Sequence, residues 1–289
     1  MEKQNQPQAH AHFINRSITI LGAGNMGTAL VKGIIKADLT PPDKILLYGR
    51  RHEKLNRLSE ELNVRYTMNN REAVFSTEIV IIGVKPQTVS HVLEETRNEF
   101  AEGQLVISIV AGISIESIQK KIGKKVAVVR AMPNIAVTVE QGATALSFGK
   151  HVTEEQQRIA VSIFEAVGEV VVVPEEQLNA VTGLSGSGPS YIYMVIEALI
   201  DGGVKNGIPR DVATKLAIQT VLGSAALVKS SALHPAILRD QVTTPAGTAI
   251  NAIHELETRG LRSMIINAVG VAAQRSEELS KLVNSGEKD

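Results

Sequence analysis

One stretch near the N-terminus leaves the chain few choices. The β-branched run Ser17-Ile18-Thr19-Ile20-Leu21 leads directly into Gly22-Ala23-Gly24-Asn25-Met26-Gly27. That in turn leads into an Ala-, Leu- and Ile-rich segment from Thr28 to Ala37. A buried strand, a glycine turn and a helix start in this order make a phosphate cradle. Gly22 permits the tight turn, Gly24 lets a phosphate approach the backbone, and Gly27 lets helix and strand pack closely. The first N–H groups of the helix and its positive dipole end face the phosphates. The expected dinucleotide-binding residues here are Gly22, Gly24, Asn25, Met26 and Gly27.

The rest of the first half extends the same unit. Short apolar runs at Ser17–Leu21, Lys44–Tyr48, Ile79–Val84, Leu105–Val110, Lys125–Ala131 and Glu169–Val173 read as strands. Amphipathic stretches at Thr28–Ala37, Glu53–Leu62, Thr88–Glu99 and Glu154–Val167 read as helices between them. This alternation predicts an α/β Rossmann-type domain over residues 16–174, with a mainly parallel sheet covered on both faces. Aromatic residues are only 3% of the chain, so its core is built from Val, Ile, Leu and Ala.

From Glu175 onward no strand is evident, and residues 175–289 read as an all-helical second domain, with the boundary near Pro174. Tyr191 to Ile200 is apolar nearly all round, with Glu197 its only charge. A helix of that kind is buried on every face, and a domain this small has little interior to hide it. A subunit interface is the expected cover. Apolar residues at 261, 264, 265, 268, 269, 272 and 273 predict a further amphipathic helix. Pro209 fits the first turn of another helix.

Thirty basic and thirty acidic side chains cancel, which argues against nucleic acid or an anionic membrane as partner. No cysteine is present, so disulfides and thiolate chemistry are excluded. No apolar run approaches the roughly 20 residues of a membrane span. Residues 1–15 read as a disordered polar tail without the apolar stretch of a signal peptide, and His10 and His12 as solvated tail residues. No metal site is expected, and a cytoplasmic enzyme is the default.

The end of the second strand bears on cofactor choice. An NAD site usually places an acid there for the ribose hydroxyls. Here Lys44–Tyr48 is followed by Gly49-Arg50-Arg51, with no acid before Glu53. A guanidinium fork suits a phosphate, so Arg50 and Arg51 favour NADPH over NADH.

Two loops of the second half read as ligand loops or plain helix starts. In Val242-Thr243-Thr244-Pro245-Ala246-Gly247-Thr248, Thr244 is the expected N-cap and Pro245 the first helical residue. Small residues at 246 and 247 leave the first N–H groups open, so a carboxylate fits there without Arg or Lys. An ordinary capped helix explains the local pattern equally well. Leu184-Ser185-Gly186-Ser187-Gly188-Pro189-Ser190-Tyr191 is glycine-rich but lacks the Lys-Ser/Thr ending of a P-loop. Close packing is its expected use.

Taken in order, Gly22 to Gly27, Val84-Lys85-Pro86-Gln87, Met132-Pro133-Asn134, Leu184 to Tyr191 and Val242 to Thr248 resemble the successive motifs of the pyrroline-5-carboxylate reductase family. The stretch from Glu197-Ala198-Leu199 to Gln219-Thr220 resembles its dimer helices. The resemblance spans about Ser17 to Leu282 and implies NADPH-dependent reduction of a cyclic imino acid to L-proline. It also implies a homodimer formed through the helical domain; larger rings of dimers occur in the family. Thr67-Met68-Asn69-Asn70 matches a family pattern whose Asn contacts the cofactor, which points to Asn70. Val84, Lys85 and Pro86 match the segment beneath the nicotinamide ribose, and Asn134 matches a cofactor position. Thr244, Ala246, Gly247 and Thr248 match the carboxylate-holding helix start. Thr248 and Lys85 are the catalytic candidates, Lys85 as a polar neighbour of the nicotinamide.

Three departures stand out. Ala249 replaces a threonine thought to contact the ring nitrogen, Ala246 replaces a glycine, and Met132-Pro133-Asn134-Ile135-Ala136 loses a hydroxyl near the nicotinamide. They keep three alternatives open: a non-catalytic NADP-binding paralogue or sensor, a reductase of another cyclic imine, and a β-hydroxyacid dehydrogenase. The last relies on a Lys in the glycine-rich segment of the second half, and Ser185 to Tyr191 carries none.

Overall fold

A computed structural model of the chain describes residues 14–285. Its strands are β1 (Ile18–Leu21), β2 (Ile45–Tyr48), β3 (Arg65–Thr67), β4 (Ile79–Ile82), β5 (Leu105–Ser108), β6 (Ala127–Met132), β7 (Gly142–Phe148) and β8 (Gly168–Val172). They form one sheet in the order β3-β2-β1-β4-β5-β6-β7-β8. The first six strands run parallel, β7 runs against β6, and β8 runs with β7. The helices α1 (Asn25–Lys36), α2 (His52–Leu62), α3 (Asn70–Phe75), α4 (Pro86–Thr96), α5 (Ile115–Ile122) and α6 (Glu154–Glu165) alternate with these strands. The helical remainder comprises α7 (Leu178–Val181), α8 (Gly188–Lys205), α9 (Arg210–Ser231), α10 (Pro235–Gln241), α11 (Thr248–Thr258) and α12 (Leu261–Ser285).

The strands have a core on each face. Ile18, Ile20, Ile79 and Ile81 pack with Leu30, Ile34 and Phe164 from α1 and α6. Leu46, Val80, Ile82 and Val106 pack on the opposite face with Val89, Leu93 and Ile118 from α4 and α5. The two-residue period of a strand sends successive side chains to opposite faces, so a continuous Ile-Val-Ile-Ile run feeds both cores. Each such side chain contributes about 1.5–3 kcal/mol by leaving water. Thr19 is polar in a buried strand, and its hydroxyl donates to the Ala73 carbonyl at 2.7 Å.

β3 and β7 are absent from the sequence reading. β3 is three residues long and opens on an exposed Arg65, too short to show a period. β7 carries Thr144 and Ser147 at buried positions, which hides its apolar alternation. The Ser147 hydroxyl is satisfied by the Val173 carbonyl at 2.7 Å.

The fold also starts earlier than expected. Ile14 is buried in the core, and the N–H groups of Ile14 and Asn15 donate to the Leu39 carbonyl at 2.7 and 3.1 Å. Both residues therefore belong to the packed structure and not to a tail. His10 and His12 lie outside the described residues.

Residues up to Gly186 and from Ala272 onward form one compact unit, and Ser187–Val271 forms another. This division differs from a single boundary near Pro174, because the end of α12 joins the first unit. Ser276, Ser280 and Asn284 share one helix face at four-residue spacing. The hydroxyls of Ser276 and Ser280 donate to Asn179 Oδ1 at 2.9 and 3.1 Å. The Asn284 amide donates to the Gly112 carbonyl at 2.9 Å and accepts the Ser114 N–H at 3.0 Å. A polar stripe of this kind carries no apolar signal.

The second unit is helical throughout. Gly203 lets α8 lie close to Ala213 of α9. Pro209 is the N-cap of α9, one position before the expected first turn. Helix α9 is long and apolar enough to cross a membrane by length and composition alone. The expectation that Tyr191 to Ile200 is buried on every face fails within the single chain: α8 has no buried residue.

Candidate functional site

In a sheet of this order β1 is the switch point, with β2 on one side and β4 on the other, and ligands bind in the crevice beyond the strand ends there. The loop after β1 is pinned at this place. The N–H groups of Gly22 and Ala23 both donate to the Tyr48 carbonyl at the end of β2, at 3.0 and 3.2 Å. Gly22 has φ +112°, and a Cβ on it would stand 2.6 Å from the Gly83 carbonyl oxygen at the end of β4. A Cβ on Gly27 would stand 2.7 Å from the Gly22 oxygen and 2.8 Å from Ile20. These two glycines are therefore demanded by the protein itself. Gly24 differs: a Cβ there would meet nothing within 4 Å. Gly24 is the N-cap of α1 and offers no side chain to its first N–H groups. Gly24 and Asn25 are exposed, and Met26 packs half-buried against the core. The open backbone at the start of α1 fits a pyrophosphate on steric and electrostatic grounds.

Arg50 and Arg51 follow β2 and are exposed, and neither forms an ion pair among the described residues. Arg51 is the N-cap of α2. Lys54 and Arg57 lie on the following turns and line the same surface hollow as Arg51. Burial lowers the Lys54 ammonium below its usual range, and Arg51 and Arg57 add to the effect. Positive charge outnumbers the single Glu53 carboxylate in this hollow, which suits a phosphate group.

Asn70 opens α3 and is buried, and its amide donates to Glu95 Oε2 at 2.7 Å. Burial raises the Tyr48 phenol, Glu95 raises it further, and Arg50 opposes both. Val84 is half-buried against the second core, and Lys85 is exposed as the N-cap of α4 with Pro86 in its first turn. The Lys85 side chain has no ion pair among the described residues. Asn134 serves the protein: its oxygen accepts the N–H groups of Ala136 and Ala143, both at 3.2 Å. Its nitrogen donates to the Ser185 carbonyl at 3.1 Å. Asn134 thus ties the loop after β6 to the glycine-rich segment, where a π turn spans Thr182–Gly186 and Gly186 leaves room for the Met132 thioether. Turns of this kind are frequent at functional sites.

The loop from Thr244 lies in the second unit, and its helix starts later than the sequence reading placed it. Thr244 is not the N-cap, and Pro245 is not helical. Residues 244–247 form a turn closed by the Gly247 N–H on the Thr244 carbonyl at 3.0 Å, and α11 begins at Thr248 with Gly247 as N-cap. Proline fixes the second turn residue, and Ala246 takes φ +57° as the third. A type II turn requires such a positive φ and favours glycine there. A Cβ on Gly247 would collide with the Thr244 hydroxyl. No side chain caps α11, and Thr248 is exposed at its first position. The first N–H groups of α11 thus lack a side-chain cap beside an exposed threonine, an arrangement that suits an anion.

Sequence reading missed Gly83 and Glu95. A glycine directly after Ile79-Val80-Ile81-Ile82 signals a close backbone approach at a strand end. Glu95 has no sequence signal, because its partner Asn70 lies on another helix.

Known proteins resemble this chain along most of its length. Residues 17–112 match a family model described as NADP oxidoreductase coenzyme F420-dependent, and residues 175–279 match one described as pyrroline-5-carboxylate reductase dimerisation. The pyrroline-5-carboxylate reductase of Methanosarcina acetivorans is 45% identical over 92% of this chain and 99% of its own length. That of Synechocystis is 44% identical over 91% and 97%. The solved enzyme of Coxiella burnetii superposes with a TM-score of 0.87 at 37% identity, covering 92% of this chain and 98% of that one. A Plasmodium falciparum pyrroline carboxylate reductase with NADP bound superposes at 0.84 with 29% identity, over 93% and 99%. The chain therefore belongs to the pyrroline-5-carboxylate reductase family.

Proposed function

We propose that this protein reduces 1-pyrroline-5-carboxylate to L-proline with NADPH. The observation that carries the reading is the pairing, in one chain of this family, of an open glycine cradle after β1 with an uncapped helix start at Thr248. Gly22, Gly24, Asn25, Met26 and Gly27 hold the pyrophosphate. Arg50 and Arg51 hold the 2′-phosphate and favour NADPH over NADH. Asn70, Val84, Lys85, Pro86 and Asn134 border the remainder of the dinucleotide. When bound, the reduced cofactor supplies a hydride to the C=N carbon.

The protein's own task is placement. The N–H groups at the start of α11, with Thr244, Ala246, Gly247 and Thr248, fix the substrate carboxylate. Holding the ring in reacting position supplies much of the rate. The imine accepts a hydride when protonated, and no pair of titrating side chains at either loop is needed to bring that proton. Thr248 offers the hydroxyl that Ala249 lacks, and Lys85 is the cationic candidate. A lost hydrogen bond to a charged group costs about 1.5–3 kcal/mol, so Ala249 slows turnover roughly tenfold to a hundredfold without abolishing it. The exposed apolar faces of α8 and α9 pair two copies into a homodimer, and such dimers are the units of any larger ring. The reaction is placed in the cytoplasm.

NADPH consumption with 1-pyrroline-5-carboxylate, and the reverse reaction with 3-hydroxy acids, tests the reading. Proline formation with the first and no reaction with the second is expected. NADPH binding without turnover on either points instead to a sensor, and turnover only on hydroxy acids overturns the reading.

A further inference from the structure

A carboxylate beside a dinucleotide cradle repels phosphate, so Glu95 in this place needs a reason. Asn70 is 5% exposed, and its Nδ2 donates to Glu95 Oε2 at 2.7 Å. Capping does not explain the burial of Asn70. Asn69 caps α3, accepting the N–H groups of Arg71 and Glu72 at 3.0 and 3.4 Å. The same turn is braced by the Thr67 hydroxyl, which donates to Glu72 Oε2 at 2.6 Å and accepts the Asn69 N–H at 3.1 Å. Among the described residues the only side-chain bond of Asn70 is the one to Glu95, and its side-chain oxygen accepts nothing from them.

An amide side chain can present either end. An ionised carboxylate only accepts, so it selects the NH₂ end and turns the C=O end away. A charge-assisted bond is also about twice as strong as a neutral one. We infer that Glu95 is a positioning residue: it locks the Asn70 amide so that its carbonyl oxygen faces outward as an acceptor for a sugar hydroxyl of the dinucleotide. Glu95 lies on the last turn of α4, with His91 on the turn before at 3.8 Å, and reaches Asn70 across two elements. It touches no ligand itself. Lost locking lets the amide flip, so that its oxygen no longer receives the sugar O–H.

The inference rests on the reading of Asn70 as a cofactor residue, and the test separates the two. Glu95→Gln and Glu95→Met have side chains of similar length and no charge; Gln can meet either end of the Asn70 amide and Met binds neither firmly, so both lose the selection made by an acceptor-only carboxylate. NADPH dissociation constants are measured by fluorescence titration on the full chain, with kcat at saturating NADPH and melting temperature alongside. Both variants are expected to bind NADPH about fivefold to tenfold more weakly than the parent, the effect of one hydrogen bond, although each removes a negative charge beside the phosphates. Their kcat values and melting temperatures stay together. In an Asn70→Ala background the same Glu95 substitutions no longer weaken NADPH binding. NADPH affinity of the Gln and Met variants equal to or above that of the parent, with Asn70 present, overturns the role of Glu95 alone. Unchanged NADPH affinity of Asn70→Ala overturns the reading of Asn70, and the inference with it.

Discussion

The two units of this chain use apolar side chains in opposite ways. In the first, strand residues such as Ile18, Ile20, Val80 and Ile81 are sealed completely. In the second, Met194 of α8 and Leu222 of α9 are 69% and 60% exposed, and Ala213 and Ala217 are the buried residues of α9. Comparable apolar content thus closes a core in one case and builds a surface in the other. A sheet covered on both faces is self-sufficient, whereas a few helices enclose too little volume to hide their own apolar sides. Apolar surface of this extent marks an interaction face. The match of residues 175–279 to a dimerisation family accounts for it.

A charge placed in each unit breaks the comparison most severely. Ile81→Asp buries an unpaired carboxylate in a sealed core and is expected to leave no folded protein in a soluble-expression and circular dichroism assay. Met194→Glu is expected to leave the first unit folded and NADPH bound. Sedimentation should show the monomer, and proline formation should fall more than about tenfold. A Met194→Glu variant that sediments with the parent would show that the exposed face of α8 is not the contact.

The glycines sharpen the contrast within the first unit. Gly22→Ala forces a Cβ onto the Gly83 carbonyl at positive φ, so it should lower stability by about 1–3 kcal/mol and abolish NADPH binding together. Gly24→Ala meets open space in the protein, so its melting temperature should stay near the parent value while NADPH affinity falls. Equal melting temperatures for both would contradict the crowding at Gly22. In the second unit the strained position is not a glycine. Ala246→Gly relieves the positive φ and is expected to stabilise by about 0.5–1 kcal/mol in a denaturant titration. A destabilised variant would argue against the turn.

The smallest expected effect is on acid stability. Burial of Glu78 opposes its ionisation, but hydrogen bonds from Arg16 and Ser17 outweigh it and hold its carboxyl below the usual range. A depressed folded pKa contributes stability above the unfolded value and loses it as pH falls through the folded one. Glu78→Gln should therefore be less stable than the parent at neutral pH, with the gap closing below about pH 4. The pair is solvent-exposed, so the gap stays within about 1 kcal/mol.

Legibility in the sequence followed the physics of each signal. Strand Ile79–Ile82 and the glycine loop were readable because burial on both faces and tight turns restrict residue type locally. β7 was not, because its buried Thr144 and Ser147 look like loop residues. Thr244 and Pro245 carried the marks of a helix start but were used for a turn, since proline at a first helical position and at the second turn position looks the same. The docking of Ser276, Ser280 and Asn284, and the Asn70–Glu95 bond, depend on partners far along the chain and leave no local trace.

The most direct test compares two substrates that differ only in the acid group. With NADPH in excess, kcat/KM for 1-pyrroline-5-carboxylate should exceed that for 1-pyrroline by roughly a hundredfold or more, the effect of a few kcal/mol of binding at the α11 start. Thr248→Ala should narrow that ratio, leaving NADPH affinity unchanged. Equal rates on the two imines, or no proline formed from the first, would contradict the assignment of an acid-gripping helix start to this chain.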